Sequence, residues 1–410
     1  MRILTLSTCF PNERQPALGV FIRERMRHVA HHCDVTIAAP VPWFPLNRLL
    51  RRGRWTGIPR REAQDGLTVH HPRFFSVPGA FKSLDGVLYA MSLVPFVARL
   101  RRRFDFDLID AHFAYPDGLA GVLLGQWFRR PTMITLRGSI VRLSRSPLHR
   151  PQIRRALEQA SGIVAVSQSL KRVAVGLGLS PDRIRVIPNG VDVARFRPGE
   201  RQQARHALGL PPNAKIILTV AGIYEEKGQH LVLETLPSLA RRHPELLYVM
   251  VGTPRSPGHQ RRLEARARRL GVLPMIRFAG TVPHEALPRW FHAADVFCLA
   301  TATEGWANVL LESLACGIPV VTTDVGGNRE IIREPVLGTL LPWNDVVALR
   351  EGLLDALERA WDPGLLVAHA ERHSWESTAL AVVDEFKTII ATSTVAASQR
   401  AAAPSLPGRM

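Results

Sequence analysis

The strongest constraint on this chain is an alternation that runs twice along its 410 residues. Short apolar runs alternate with segments of helical period. Arg2–Ser7 reads as a buried strand. Val20–His31 carries Phe21, Ile22, Met26 and Val29 on one helical side, and Asp34–Ala39 is a strand stopped by Pro40. Strand–helix–strand order implies parallel pairing through a crossover. The pattern continues through Phe106–Asp110, Gly118–Phe128, Thr132–Leu136, Ile153–Ala160, Gly162–Val166 and Arg183–Ile187, where Pro188-Asn189-Gly190 makes a turn. Residues 40–83, rich in Arg, Pro and Trp, read as an inserted surface region.

A boundary falls at residues 195–214, around Pro198, Gly199 and Pro211-Pro212. The alternation then restarts with strands at Lys215–Val220, Leu246–Val251, Ile276–Ala279, Val296–Leu299 and Pro319–Thr322, separated by helical segments. The expected fold class is α/β: two tandem Rossmann-like domains facing across a cleft, with ligand at the carboxyl ends of the strands. The expected divisions are 1–197, 198–374, a C-terminal helix at 375–392 crossing back to the first domain, and a disordered Ala/Ser/Pro-rich tail at 393–410.

Composition narrows the class. Hydrophobic residues make up 46%, as in an ordinary globular protein. Cys9, Cys33, Cys298 and Cys316 are scattered without a paired motif, which argues against a disulfide framework or zinc site and fits a reducing cytoplasm. The start of the chain does not read as a signal peptide. The apolar stretch Val87–Leu100 is shorter than the roughly 20 residues a bilayer span needs, so a core or interfacial helix is expected.

The net charge of +18 is lopsided: +17 lies in residues 1–200. Arginine clusters occur at Arg51, Arg52 and Arg54, at Arg60 and Arg61, at Arg101–Arg103, and at Arg129 and Arg130. Such a half suits phosphates or an anionic membrane; a solvated arginine-rich surface is the plain alternative. No nucleic-acid reader module is recognisable, so none is expected as a partner.

The chemistry concentrates in Thr303–Glu330. Glu304 and Glu312 are eight residues apart, about 80° out of phase on one helix. Gly305 and Asn308 suggest instead that Glu304 sits on a loop, Asn308 caps the helix, and Glu312 lies just inside. Both acids would then meet a ligand at a positive helix end that suits a diphosphate. Two ordinary helix-end carboxylates remain the bland reading.

The wider segment resembles the EX7E signature of retaining family-4 glycosyltransferases of GT-B fold. It has Glu304-Gly-Trp-Ala-Asn308, Glu312, Gly317-Ile-Pro319, Gly326-Gly327 and Glu330. Lys227-Gly228, the junction Ile187–Asp192, and Asp110-Ala111-His112 with Pro116-Asp117-Gly118 fit the same family, including bacterial exopolysaccharide and teichuronic-acid-type members. The resemblance implies a hexosyl-type transferase (EC 2.4) acting with retention. Glu312 would bind the donor ribose, Glu304 would lie beside the transferred sugar, and Lys227 would neutralise the leaving diphosphate. Gly19 and the peptide groups of Asn308 and Val309 would approach the phosphates, and Val282 would meet the base.

The sequence also departs from that family. Gly222 stands where an arginine is common. Arg137-Gly138 replaces His-Gly, and Ile140 replaces an acid. Arg137 is therefore expected to contact donor or leaving phosphate, with a structural ion pair as the alternative. His112 would line the acceptor pocket or be a satisfied core histidine. The pairs His31-His32 and His70-His71 carry no ligand spacing. No acidic pair of the DxD type precedes a nucleotide site, so no metal or other cofactor is expected.

The expected reaction moves a sugar from a UDP- or GDP-sugar to a saccharide or lipid-diphosphate-linked acceptor, as in cell-surface polysaccharide synthesis. It would take place in the cytoplasm or at the inner face of its membrane. No covalent nucleophile is evident, so the departing phosphate oxygen would take the acceptor proton on the same face. The rivals are a sugar-nucleotide epimerase or hydrolase on the same fold, or a degenerate nucleotide-sugar binder.

Overall fold

The computed structural model describes residues 1–45 and 57–402, with side chains described to residue 395. Arg51, Arg52 and Arg54 fall outside the described residues. The chain forms two compact units. The first comprises Met1–Val166, Leu170–Ile187 and Thr378–Met410; the second comprises Ser167–Ser169 and Pro188–Ser377.

The first unit is built on a sheet of β1 (Arg2–Leu6), β2 (Asp34–Ala38), β4 (Arg61–Gln64), β5 (Leu67–His70), β7 (Leu108–His112), β8 (Thr132–Leu136), β9 (Gly162–Ala165) and β10 (Ile184–Val186), in the order β10-β9-β8-β7-β1-β2-β5-β4. All pairs are parallel except β4 with β5. A small second ladder pairs β3 (Val41–Trp43) with β6 (Arg73–Phe75). Strands β3, β4, β5 and β6 all lie in the region 40–83 whose Arg, Pro and Trp content reads as irregular. Strand β1 shows how the sheet divides the core. Ile3 joins a cluster with Ile22, Met26 and Val29 of helix α1 (Val20–Val29), while Leu4 and Leu6 join Tyr89, Leu93 and Val97 of helix α2 (Asp85–Arg101) and Leu124 of helix α3 (Leu119–Phe128). That split is the two-residue period of a strand buried on both faces.

The C-terminal helix α5 (Trp375–Ala402) starts in the second unit and has its body in the first. It buries Ala379, Val382, Val383, Phe386 and Ile389 in the α1 cluster. Fully burying each of the larger of these contributes roughly 1.5–3 kcal/mol. Arg185 of β10 adds ion pairs of 3.0 Å to both Asp384 and Glu385. The tail expected to be disordered from Ser393 is helical as far as Ala402, because the helix carries on through Ala-rich sequence of high intrinsic propensity.

The second unit has six parallel strands: β11 (Lys215–Val220), β12 (Leu246–Val251), β13 (Ile276–Gly280), β14 (Val296–Leu299), β15 (Val320–Thr323) and β16 (Gly338–Leu341), in the order β13-β12-β11-β14-β15-β16. Helix α4 (Asn308–Ala315) follows β14. In each sheet the winding reverses once, between β1 and β7 in the first unit and between β11 and β14 in the second. The loops leaving such a pair diverge and open a crevice at the strands' carboxyl ends, where open α/β sheets take ligand.

Candidate active site

In the second unit, the crevice lies between the loop after β11, which carries Lys227, and the loop after β14, which carries Glu304. Two glycines set their approach. Gly228 has φ +73°, and a Cβ there would lie 1.7 Å from the Ala300 carbonyl oxygen. Gly326 has φ +56°, and its Cβ would lie 1.7 Å from the Glu304 carbonyl oxygen. Only glycine permits either contact. The amide of Ala302 donates to the Glu226 carbonyl at 2.8 Å, and the Thr301 hydroxyl donates to the same oxygen at 3.0 Å. These bonds lock the two loops together. Lys227 then donates from Nζ to the Glu304 carboxylate. Burial opposes the ammonium charge, but Glu304 and Tyr224 outweigh it and hold the Lys227 pKa above its ordinary value.

Glu312 lies in the second turn of α4, one turn deeper than the sequence suggests, and is buried. Its Oε1 accepts from His284 Nε2 at 2.9 Å. His284 Nδ1 lies 3.1 Å from Arg195 Nη1, an obligate donor, which fixes the neutral tautomer with its proton on Nε2. The other oxygen, Oε2, is buried with no hydrogen-bond partner. An unsatisfied buried carboxylate oxygen costs stability unless a ligand meets it. His284 follows Val282 by two residues on the loop after β13, so the expected base-contacting loop also orients Glu312.

Asn308 is not the cap. Ala307 occupies that position, and the Asn308 side chain accepts from Asn189 Nδ2 at 3.1 Å. The amide is engaged by a junction residue, which leaves the main-chain N–H groups of Asn308 and Val309 uncapped by a side chain. At Gly222 a Cβ would crowd the Tyr224 ring at 2.7 Å, so the arginine common in the family has no direct substitute at that position. Arg255, from the loop after β12, stacks 4.1 Å over the same ring.

In the first unit, Gly19 begins α1 with φ +69°, and a Cβ there would meet the Cys9 carbonyl oxygen at 2.1 Å. The turn into α1 therefore requires this glycine before any ligand is considered. The Arg137 guanidinium, buried after β8, stacks 4.7 Å over Phe21 and donates to His112 Nδ1 at 2.9 Å. Burial and the neighbouring Arg25 hold its pKa well below the ordinary arginine value. His112 Nε2 donates in turn to Asp110 at 2.9 Å. Burial brings the His112 pKa down to about 4 against the pull of Asp110, so the ring is neutral at pH 7. Asp110 stays charged: burial works against it, but His112, Arg25 and Arg137 more than compensate.

His112 is thus fully buried with both ring nitrogens engaged, and no edge of it faces an acceptor. It positions Arg137. The open space lies beside it, at the β1–β7 switch. This cavity of about 400 Å³ is lined by Thr8, Lys82, Tyr115, Asp117, Arg142 and His149, among others. Asp117 accepts from the Thr8 amide at 2.6 Å and hydroxyl at 2.9 Å; burial nonetheless raises its pKa to about 7. Lys82 is one of only five lysines beside 48 arginines, and Lys227 is another.

Among the described residues there is no group of three or more His, Cys, Asp or Glu side chains placed to hold a metal ion. The four cysteines are free thiols.

Residues 200–375 match the family described as Glycosyl transferases group 1, and residues 18–195 match Glycosyltransferase Family 4. Bacillus subtilis TuaC, named as a teichuronic acid biosynthesis glycosyltransferase, is 30% identical over 80% of this chain and 82% of its own length. A D-inositol 3-phosphate glycosyltransferase of Geodermatophilus obscurus is 31% identical over 83% of this chain and 79% of its own. Another, from Catenulispora acidiphila, is 36% identical, but the match spans 52% of each chain. In fold, the chain is similar to Anabaena Alr3699/HepE in complex with UDP and glucose (TM-score 0.73, 20% identity, 94% of this chain and 99% of that one). It is also similar to sucrose-phosphate synthase from Thermosynechococcus elongatus (TM-score 0.77, 20% identity, 96% and 100%). With a family match over each Rossmann-like half, the chain belongs to the group 1, family 4 glycosyltransferases of GT-B fold.

Proposed function

We infer that this enzyme transfers a hexosyl group from a UDP- or GDP-sugar, with retention, to a saccharide or lipid-diphosphate-linked acceptor of a cell-surface polysaccharide. The observation that carries the reading is the buried, unpartnered Oε2 of Glu312, on the helix that opens from the Lys227–Glu304 crevice. A ribose hydroxyl satisfies that oxygen. The diphosphate lies against the uncapped N–H groups of Asn308 and Val309 and draws Lys227, which offsets the charge gained as the glycosyl–phosphate bond breaks. Val282 contacts the base through its backbone.

The acceptor hydroxyl attacks the anomeric carbon as the diphosphate departs. Its proton passes to the departing phosphate oxygen, and Glu304 stabilises positive charge at the anomeric carbon. The Lys82 and Arg142 side chains of the first-unit cavity suit an acceptor bearing an anionic group. Lys227 and the helix end supply the charge a metal otherwise would, so turnover in EDTA should match turnover without it.

The test is a panel of UDP- and GDP-sugars with purified protein, with and without saccharide acceptors, following nucleoside diphosphate release and the anomeric configuration of the product. Acceptor-dependent release that Glu312→Ala abolishes supports the reading. Release without acceptor at the same rate would make the chain a hydrolase, and an inverted product would overturn retention.

A further inference from the structure

Helix α2 is apolar on two faces, and only one of them is used by the fold. Tyr89, Ala90, Leu93 and Val97 pack into the core. On the opposite side Leu84 is 50% exposed, Val87 41% and Met91 65%, and the stripe continues through exposed Pro95 and Ala98. The spacing of three, four, four and three residues keeps all five on one helical face.

The patch does not end with the helix. Phe81, 68% exposed, precedes it. On one flank, the Phe75 amide donates to Ser92 of α2 at 3.2 Å, and Phe75 pairs with Trp43 in the β3–β6 ladder; both aromatics are exposed. At the far end Trp127, 69% exposed, precedes Phe128, whose carbonyl accepts from Arg101. Exposed apolar side chains gathered in this way mark an interaction site.

Its charge says with what. The C-terminal end of the patch is rimmed by exposed Arg99, Arg102, Arg103 and Arg129. Residues 1–200 carry +17 of the net +18. A second copy of this chain would set two arginine rims against each other, whereas an anionic lipid surface is complementary to both rim and stripe. An apolar helical face ending in arginines, with exposed tryptophans on neighbouring elements, is the composition of a surface lying in the bilayer interface. Lys82–Arg101 is long and apolar enough to cross a membrane. It cannot cross while its inner face is packed in the core, so it would lie flat.

We propose that the outward face of α2 docks this enzyme on anionic membrane, with the helix in the interfacial plane at the cytoplasmic leaflet. The docking gives the proposed lipid-linked acceptor its address and so rests on that reading for its purpose. The measurement does not, because vesicle binding needs neither donor nor acceptor.

The experiment is flotation of the full chain with vesicles of phosphatidylcholine alone or mixed with phosphatidylglycerol, at about 50 mM and about 500 mM salt. Wild type should float with the anionic vesicles at low salt and at least tenfold less with the neutral ones. Val87→Glu with Met91→Glu, and separately Arg99→Glu with Arg102→Glu, should each lower partitioning at least tenfold while melting with wild type. Should the apolar pair unfold, Met91→Glu alone carries the test, because that side chain is 65% exposed. Wild type that stays in solution with anionic vesicles, or variants that float as well as wild type, would overturn the proposal. A wild-type dimer that Met91→Glu splits, with no flotation, would assign the face to a second copy instead.

Discussion

Glu312→Gln separates binding from folding at one atom. Oε1 accepts from His284 and Oε2 has no hydrogen-bond partner, although both belong to a buried carboxylate. Glutamine keeps the shape and the His284 bond and removes the charge. Leaving such an oxygen unpaired costs about 1–3 kcal/mol, so the substitution should leave the melting temperature unchanged or raise it. The cost should appear when donor binds. A hydrogen bond from a ribose hydroxyl to a charged acceptor contributes about 1.5–3 kcal/mol net, equivalent to about ten- to 150-fold in kcat/KM for the donor. Steady-state nucleoside diphosphate release at varied donor concentration measures this. A donor lacking one ribose hydroxyl supplies the second leg. Wild type should lose activity on it by a similar factor, and Glu312→Gln should barely distinguish it from the natural donor. If Glu312→Gln kept wild-type donor kinetics, or lost activity only because it melted many degrees lower, the carboxylate would be a packing residue.

Lys227→Met removes the cation that pairs with Glu304 and should lower kcat by about 10²–10³-fold with a smaller effect on donor KM; unchanged kcat would exclude its role in leaving-group departure. Arg137→Ala should lower turnover and weaken donor binding, because its guanidinium is held by Phe21 and His112 in one orientation; full kcat and unaltered donor KM would show a purely structural stack. Asp117 carries a pH signature. Burial lifts its pKa to about 7, above the ordinary value near 3.9, so the folded chain holds the proton more tightly than the unfolded one. Its contribution to stability is therefore full below about pH 4 and is lost as pH rises through about 7. Melting curves should show Asp117→Asn gaining on wild type between about pH 5 and pH 8, by up to a few kcal/mol, and parallel curves would contradict the shift. His112 has the opposite sign. Its lowered pKa of about 4 makes its contribution full above about 6.5 and lost as pH falls, so His112→Gln should flatten the acid side of the same profile.

Much of the fold is legible in sequence because parallel strands buried on both faces read as continuous apolar runs, and because Pro188-Asn189-Gly190 and Pro211-Pro212 punctuate them. Short or edge structure is not legible in the same way. Strand β16 is four residues beginning at Gly338, too brief to show a period. Helix Pro363–Glu371 did have a local signal, since Asp362 caps it through the Gly364 amide and Pro363 sits in its first turn. In the site, glycines were readable as close approaches, but what each approaches was not: Gly326 meets Glu304 from 22 residues away. The identities of Lys227, Glu304 and Glu312 could be read from their motif. Their partners could not, because His284 and Arg195 reach Glu312 only through the folding of separate loops. The two readings of His112 could not be separated for the same reason, since a histidine at a strand end looks alike whether it faces a pocket or holds an arginine.

The most direct test is a crystal structure with an intact nucleotide sugar or its nucleoside diphosphate bound. A ribose hydroxyl should lie about 2.6–3.0 Å from Glu312 Oε2 and phosphate oxygens on the N–H groups of Asn308 and Val309, with Lys227 Nζ beside them. A nucleotide seated elsewhere, with Oε2 of Glu312 still unpaired, would contradict it.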